Sequence, residues 1–184
     1  MEERPTISVF GSGEIVPPSR EYQTAQQVGC LLGQLGYSIA TGGYAGTMEA
    51  VSRGARKYGV EVIGVICRAW PGEANEFVTR VIETDNLTER LAMLVELGSS
   101  GYIVLPGATG TLRELAEVWE LMEKHFIPPR PIVCLGNYWK PVISLIGKTK
   151  PAAAERICFA DTPGDLARFF PDLHNRSSER YNHS

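Results

Sequence analysis

The stretch GYIVLPGATGTLRELAEVW, residues 101–119, decides the fold more directly than any other. Residues 101–106 are apolar without the alternation of a half-buried strand, which is typical of a parallel strand covered on both faces. Two glycines then permit a tight turn, and Leu115, Val118 and Trp119 recur at helical spacing. A buried strand, a short turn and an amphipathic helix form the repeating unit of α/β proteins.

The same alternation of strand and helix runs along the rest of the chain. It predicts one doubly wound, Rossmann-like α/β domain over residues 1–170, with a mostly parallel sheet flanked by helices, and a polar, mobile tail over residues 171–184. The strand at 78–83 is expected near an edge, and Pro141 is expected to interrupt the helix that contains it. The predicted strands are 6–10, 37–41, 61–66, 78–83, 101–106, 131–136 and a short one beginning ICFA, and the predicted helices are 20–36, 46–59, 86–98, 111–126, 138–148 and a last short one.

Charge and composition exclude several classes of function. The net charge is −3 with no run of Lys or Arg, so neither nucleic acid nor a membrane surface is an expected partner. No apolar run approaches the roughly 20 residues of a membrane span, and the charged N-terminus does not resemble a signal peptide. Four widely spaced cysteines are interpreted as buried thiols in a reducing compartment. A cytoplasmic enzyme or binding protein is the expected class.

Three predicted strands end in glycine-rich turns, VFGSGE (9–14), ATGGYAGT (40–47) and VLPGATGT (104–111). In a parallel sheet these turns share one rim, where backbone N–H groups and a helix N-terminus favour a phosphate. The alternative is that the glycines serve only tight turns. Val16 breaks a dinucleotide fingerprint at GSGEIV, and no P-loop sequence is present. The candidate phosphate-binding residues are Gly11, Ser12, Gly13, Gly42, Gly43, Gly46, Thr47, Met48, Gly107, Ala108, Thr109, Gly110 and Thr111.

Three polar residues each allow two interpretations. Thr111 and Glu114 satisfy the spacing of a capping box, in which each side chain would bond the other's backbone N–H, and they also suit an active site. Arg90 lies near the start of a predicted helix, where a cation opposes the helix dipole. It either pairs with Glu89 on a solvated face or reaches the rim of the sheet, near the phosphate or ribose of a ligand.

Two glycine motifs and an arginine segment together resemble the LONELY GUY (LOG) family, long mislabelled as lysine decarboxylases. TGGYAGTMEAVSRGA (41–55) is similar to that family's GGxxGxM segment, PGATGTLRE (106–114) to its PGGxGTxEE signature and TERLAML (88–94) to its ERKxEM segment. The resemblance implies hydrolysis of the N-glycosidic bond of a nucleoside 5′-monophosphate, of the cytokinin-nucleotide or AMP type, with release of base and ribose 5-phosphate. It implies Arg90 and Glu114 as the catalytic pair.

The resemblance also implies how the ligand is held. The phosphate would lie on the N–H groups of residues 107–111 and on the Gly43–Gly46 turn, with no metal and no organic cofactor required. Related folds are commonly dimers, and the helix at 111–126 is a candidate interface, with Trp119 and Met122 either in the core or on that surface.

This chain departs from the family pattern at three positions. Ala108 replaces a glycine and is expected to restrict its turn, Arg113 replaces a glutamate, and Leu91 replaces a lysine. These changes leave a second hypothesis open, a non-catalytic binder of a nucleotide or phosphorylated cofactor, since relatives of the family include a molybdenum-cofactor carrier. Trp70 and Pro71 follow the third strand on the ligand rim, where a contact with a nucleobase is one of two interpretations.

Overall fold

A computed structural model describes residues 4–174, and in this part of the chain one parallel sheet of seven strands runs in the order β4-β3-β2-β1-β5-β6-β7. The strands are β1 (Thr6–Phe10), β2 (Ser38–Thr41), β3 (Val62–Cys67), β4 (Arg80–Thr84), β5 (Gly101–Val104), β6 (Ile132–Leu135) and β7 (Ile157–Ala160). The helices are α1 (Arg20–Gln34), α2 (Thr47–Arg56), α3 (Leu87–Leu97), α4 (Thr109–Glu123), α5 (Lys140–Gly147) and α6 (Pro151–Ala154), followed by a 3₁₀ helix (Pro163–Arg168).

The predicted α/β architecture is confirmed, including the position of β4 at an edge of the sheet. Two local predictions are wrong. Pro141 does not interrupt a helix: α5 begins at Lys140, so Pro141 lies in its first turn, where a missing N–H has no helical acceptor to lose. The short helix α6 was not predicted, because four residues carry too little hydrophobic periodicity to be recognised.

Strand β1 lies at the centre of the sheet and sets the place of the turns. Ile7 pairs with Ile39 of β2 on one side and with Gly101 of β5 on the other, both in parallel register. The chain reverses its winding direction between β1 and β5, which is the switch point where α/β proteins bind ligands. The carboxyl ends of β1, β2 and β5 are therefore neighbours, and the predicted common rim of the three glycine turns is confirmed.

The two faces of the sheet are covered by different helices. Ile7 and Val9 pack with α1, α2 and the 3₁₀ helix, whereas Phe10 packs with α3, α4 and α5. Trp119 and Met122 of α4 are 6% and 3% exposed and belong to this second core, which decides between the two places considered for them. A dimer through the rest of α4 stays a prediction.

The predicted tail begins within the described part of the chain. Pro171 accepts a hydrogen bond from the Tyr37 hydroxyl at 2.9 Å, and the Leu173 N–H donates to the Leu35 carbonyl at 3.0 Å. Residues 175–184, the rest of the predicted tail, lie outside the described residues. No helix within residues 4–174 is long and apolar enough to cross a membrane. The cysteines are free thiols, of which Cys67 and Cys134 are buried as expected and Cys30 and Cys158 are half-buried. The cytoplasmic location stays a prediction.

The helices α1 and α2 approach each other through glycines. A methyl group at Gly29 would overlap the Val51 carbonyl oxygen, and one at Gly54 would overlap the Gln26 carbonyl oxygen. Only glycine lets the two backbones come this close, so these residues fix the distance between the two helices and with it the position of the turn that precedes α2.

We expect Gly29→Ala to lower the free energy of unfolding by about 1–3 kcal/mol, because the added methyl group forces α1 away from α2. This is the opposite of the usual effect of Gly→Ala inside a helix, which is stabilising by about 1 kcal/mol. Urea denaturation measures the difference. Gln27→Ala, at an exposed position of the same helix, is the control, and equal stability of the two variants would contradict the close approach.

Candidate active site

The backbone of Ser12 joins the three glycine turns. Its N–H donates to the Pro106 carbonyl at 3.2 Å, and its carbonyl accepts from the Thr47 N–H at 2.8 Å. One residue of the first turn is thus bonded to the second and third turns at once. The turns are parts of one fixed surface, and the N–H groups of Ser12 and Thr47 are already occupied within it.

The second turn is buried and depends on its glycines. Gly43 and Gly46 have φ values of 79° and 72°, the left-handed region that favours glycine. The Asn75 side-chain amide donates to the carbonyls of Gly43 and Tyr44, both at 2.9 Å. Among the predicted phosphate-binding residues, those buried here are Gly42, Gly43, Gly46 and Thr47, while Met48 is half-buried.

The third turn passes into α4 earlier than expected. The helix begins at Thr109 with Ala108 as its N-cap, and no side chain caps it. The predicted capping box of Thr111 and Glu114 is therefore wrong, because both residues lie inside the helix. Thr111 is 3% exposed, and its hydroxyl occupies the space that a side chain at Gly107 would need.

Within residues 4–174, the N–H groups at the start of α4 have no acceptor, and most of this segment is exposed at the rim. The Leu112 N–H donates to the Ala108 carbonyl at 3.0 Å, the first hydrogen bond of the helix. The N–H groups of Thr109, Gly110 and Thr111 come before it and have no helical acceptor. Ala108, Thr109 and Gly110 are exposed, as is Gly13 of the first turn, whereas Gly11, Ser12 and Gly107 are half-buried. This segment is the part of the predicted phosphate site that faces outward.

Ala108 does not strain its turn. Its φ is −98° and its ψ is −153°, an extended conformation that any residue adopts. The expectation that alanine restricts this turn is therefore wrong. The left-handed conformations that require glycine occur in the second turn instead. The third turn is also held from outside, because the Tyr138 hydroxyl donates to the Gly107 carbonyl at 2.9 Å.

Arg90 lies in the second turn of α3, whose N-cap is Asn86. Glu89 does not pair with it: the Glu89 carboxylate accepts from the Asn86 side chain at 2.8 Å and from the Asp85 N–H at 3.1 Å. The Arg90 side chain is only 11% exposed, so the interpretation as part of a solvated face is wrong. Its Nε donates to the Val65 carbonyl at 2.7 Å, at the carboxyl end of β3.

The Arg90 guanidinium is enclosed by the second glycine turn, between β2 and α2. Its carbon lies 5.6 Å from the centre of the Tyr44 ring, a cation–π contact, and its Nη2 lies 3.9 Å from the Met48 sulfur. A side chain at Gly42 would overlap that same Nη2. The turn thus places the Tyr44 ring against the guanidinium, and the missing side chain of Gly42 leaves the room that Nη2 occupies.

Glu114 faces Arg90 from α4. Its Oε1 lies 3.9 Å from Arg90 Nη1, an ion pair too long for a hydrogen bond, and its side chain is 15% exposed. Within residues 4–174 neither carboxylate oxygen of Glu114 accepts a hydrogen bond. Burial raises the pKa of Glu114 to about 7, and the charges of Arg90 and Arg113 offset only part of that rise. A carboxyl group that titrates near neutral pH suits proton transfer.

Tyr44 is the neighbour of this pair that the sequence did not reveal. Its hydroxyl accepts a hydrogen bond from the Cys67 N–H at 2.9 Å, which fixes the ring between Arg90 and the loop after β3. The available signal was an aromatic residue between Gly43 and Gly46, where a turn that only changed direction would need no large side chain.

A cavity of about 360 Å³ borders the second and third glycine turns at Thr47 and Pro106, and neither Arg90 nor Glu114 lines it. It reaches from the N-terminal end of α1 to the carboxyl ends of β6 and β7, and Arg20, Thr24, Pro106 and Asp161 contribute to its wall. A more open groove of about 500 Å³ runs outside β4 and α3. There Arg68 is paired with Glu83 at 2.9 Å and with Asp85 at 2.6 Å, and the groove contains neither Arg90 nor Glu114.

Side chains that could hold a metal ion do not cluster in the described part of the chain: no group of three or more His, Cys, Asp or Glu residues comes together there.

We expect the stability of the wild-type protein relative to Glu114→Gln to fall as the pH rises. The folded-state pKa lies above the unfolded value of 4.5, so the contribution of Glu114 is complete below pH 4.5 and is lost as the pH passes about 7. The variant should gain about 3 kcal/mol relative to wild type between pH 4.5 and pH 8. Urea denaturation across this range measures the difference, with Glu117→Gln as an exposed control on the same helix. A constant difference would contradict the burial of Glu114.

Known proteins resemble this chain in sequence and in structure. The model of the SLOG cluster4 family matches residues 4–160. A cytokinin riboside 5′-monophosphate phosphoribohydrolase of Mycobacterium tuberculosis is 30% identical over 159 residues, which cover 79% of this chain and 83% of that protein. The molybdenum cofactor binding protein of Rippkaea orientalis superposes with a TM-score of 0.75 at 25% identity, covering 91% of this chain and 96% of that one. The molybdenum cofactor carrier protein of Chlamydomonas reinhardtii has a TM-score of 0.70 at 21% identity, covering 90% and 95%, and shares the fold.

The match of the family model over most of the described chain, the related phosphoribohydrolase sequence and the two glycine motifs agree with one another. The chain belongs to the SLOG cluster4 family, and it is a relative of the LOG phosphoribohydrolases.

Proposed function

We propose that this protein hydrolyses the N-glycosidic bond of a nucleoside 5′-monophosphate and releases the free base and ribose 5-phosphate. The observation that carries the proposal is the buried pair of Glu114 and Arg90, 3.9 Å apart, beside the exposed start of α4. A carboxylate with a pKa near 7 lies in the same helix as the exposed N-terminal residues of α4, the proposed anion site. The sequence relationship to a phosphoribohydrolase supports the same reaction.

The start of α4 is the proposed phosphate site. The N–H groups of Thr109, Gly110 and Thr111 and the partial positive charge of the helix favour a dianion there. The hydrogen bonds from Ser12 to Pro106 and from Tyr138 to Gly107 hold the turn in place before a ligand arrives. A preorganised site avoids the cost of ordering the turn on binding.

Glu114 is the proposed catalytic base. As the bond between the ribose C1′ and the base nitrogen breaks, positive charge develops on the ribose, and a nearby carboxylate stabilises it. The carboxylate accepts a proton from the water whose oxygen bonds to C1′. The base leaves with the electron pair of the broken bond and takes up a proton from solvent, and Glu114 returns the proton it accepted to solvent, so one water is consumed in total. Arg90 is a cation beside this carboxylate, able to orient it and to contact the ribose or phosphate.

A second candidate function is the non-catalytic binding of a phosphorylated cofactor, with the molybdenum cofactor as cargo. The cavity of about 360 Å³ beside Arg20 and Asp161 favours it, because a ligand bound there would lie against the glycine turns at Thr47 and Pro106 and would not need Glu114. Two structural neighbours bind or carry that cofactor. Incubation with nucleotides separates the two candidates, since a carrier retains its ligand intact and a hydrolase releases free base.

We expect purified protein to release free base from AMP or N6-isopentenyl-AMP, with kcat/KM rising about tenfold per pH unit up to about pH 7 and levelling above it, because Glu114 must be ionised to act as a base. Glu114→Gln should lower kcat by at least about 100-fold. Chromatographic detection of base and of ribose 5-phosphate measures both.

The control for this experiment is Glu117→Gln, which removes an exposed carboxylate of α4 at a distance of three residues. It should leave kcat unchanged. Absence of base release from a panel of purine and pyrimidine monophosphates, with wild type equal to Glu114→Gln, would exclude the hydrolase.

We expect Ala108→Gly to change kcat/KM by less than about threefold, because the extended backbone at this position already accepts alanine without strain. Because Ala108 is the N-cap of α4, where glycine is favoured over alanine, this preference offsets the added freedom of glycine in the unfolded chain, and the free energy of unfolding should change by less than about 0.5 kcal/mol. Steady-state kinetics and urea denaturation measure the two effects. A gain of tenfold or more in kcat/KM would show that alanine limits this copy of the motif.

A further inference from the structure

Two successive contacts at the rim link Arg90 to Tyr44 and Tyr44 to Trp70. The Arg90 guanidinium lies 5.6 Å from the centre of the Tyr44 ring, and the Tyr44 and Trp70 rings lie 5.8 Å apart at an angle of 31°. We propose that Trp70, supported by Tyr44, is the stacking platform for the nucleobase of the substrate. This inference rests on the proposed function for its nucleotide and adds the part of the protein that recognises the base.

Exposure sets Trp70 apart from the other tryptophans. Trp119 and Trp139 are 6% and 3% exposed, and their indole N–H groups donate to the carbonyls of Ala153 and Leu105. Trp70 is 53% exposed. A tryptophan at the ligand rim with about half its surface free offers a large apolar face that folding does not use.

The loop that carries Trp70 is fixed to the second glycine turn. The Trp70 N–H donates to the Cys67 carbonyl at 3.0 Å, and the Tyr44 hydroxyl accepts from the Cys67 N–H at 2.9 Å. Further along the loop, Asn75 bonds the carbonyls of Gly43 and Tyr44. The Trp70 backbone is thus held in a loop that is hydrogen-bonded to the turn enclosing Arg90, and the Tyr44 ring contacts the indole. The fold therefore sets the distance from the indole to the proposed reaction centre.

The two contacts of Tyr44 also limit how far the platform is from the reacting bond. They place the Trp70 ring within about 11 Å of the Arg90 guanidinium carbon. A nucleotide with its ribose near Arg90 and Glu114 can therefore extend its base toward the indole. Stacking on an aromatic face favours any nucleobase, because every base has a π surface. The platform predicts recognition of the base by stacking rather than by a fixed set of hydrogen bonds.

The experiment compares ligands with and without a base. In the Glu114→Gln background, where turnover is suppressed, calorimetry measures the Kd of AMP and of ribose 5-phosphate for proteins carrying Trp70, Trp70→Phe or Trp70→Ala. Trp70→Ala should weaken AMP binding by roughly 5- to 100-fold, the range that loss of one stacking contact gives. Trp70→Phe keeps an aromatic face and should stay within about threefold. Ribose 5-phosphate should bind all three proteins equally.

Fluorescence gives a second readout at the same position. Because Trp119 and Trp139 are buried, quenching of exposed tryptophan emission by AMP reports on Trp70. AMP should quench this emission, ribose 5-phosphate should not, and Trp70→Phe should abolish the effect. Retention of the unfolding midpoint in Trp70→Ala establishes that the variant is folded.

Three outcomes would overturn the platform: AMP binding no tighter than ribose 5-phosphate, an equal loss of both ligands in Trp70→Ala, or an AMP Kd that Trp70→Ala leaves unchanged. None of them depends on catalysis. Base release by the wild-type protein together with an unaffected AMP Kd in Trp70→Ala would keep the hydrolase and reject the platform. A selective loss of AMP binding without any base release by the wild type would keep the platform and reject the hydrolase.

Discussion

The Arg90 side chain is only 11% exposed, and a buried cation is costly unless neighbouring groups offset the lost contact with water. The rim of this sheet supplies such groups to Arg90. The Val65 carbonyl accepts its Nε–H, the Tyr44 ring covers its face, and Glu114 supplies the opposite charge at 3.9 Å. These partners come from β3, from the turn after β2 and from α4. The cation therefore couples three separate segments of the chain, and the acid–base behaviour of Glu114 depends on the position of all of them.

Glycine serves this arrangement mainly by providing space. Gly42 leaves room for the Arg90 Nη2, and Gly107 leaves room for the Thr111 hydroxyl. Gly43 and Gly46 add left-handed backbone in the second turn, and Ser12 bonds that turn to its neighbours. Several of the residues that look like a phosphate motif are thus buried, and their role in binding stays a prediction. The exposed ones are Gly13 in the first turn and Ala108, Thr109 and Gly110 at the start of α4.

Much of the fold could be predicted because hydrophobic period and glycine spacing are local properties. The parallel direction of the strands, the edge position of β4 and the common rim of the turns were predicted from these properties and are found in the structure. The start of α4 was placed two residues too late, since the pattern TxxE fits a capping box whether or not the helix begins there. The enclosure of Arg90 was beyond sequence reasoning, because Val65 and Tyr44 reach it only through the tertiary fold. Ala108 was expected to restrict its turn because it replaces a glycine of the family pattern, but its backbone angles are ones that alanine adopts without strain.

The charged residues of β4 have a consequence for the protein at high concentration. Within residues 4–174, β4 pairs with β3 on one side only, and Val81 on this strand is 52% exposed, so the free edge is a template for adding a strand from another molecule. Arg68, directly after β3, pairs with Glu83 and Asp85, and Arg80 lies 3.9 Å from Glu61, directly before β3. These pairs join the edge strand to its neighbour and contribute little to folding stability. Charged side chains on an edge strand oppose pairing with another molecule, so Arg80 and Glu83 make edge-to-edge aggregation less favourable at the end of the sheet farthest from β7.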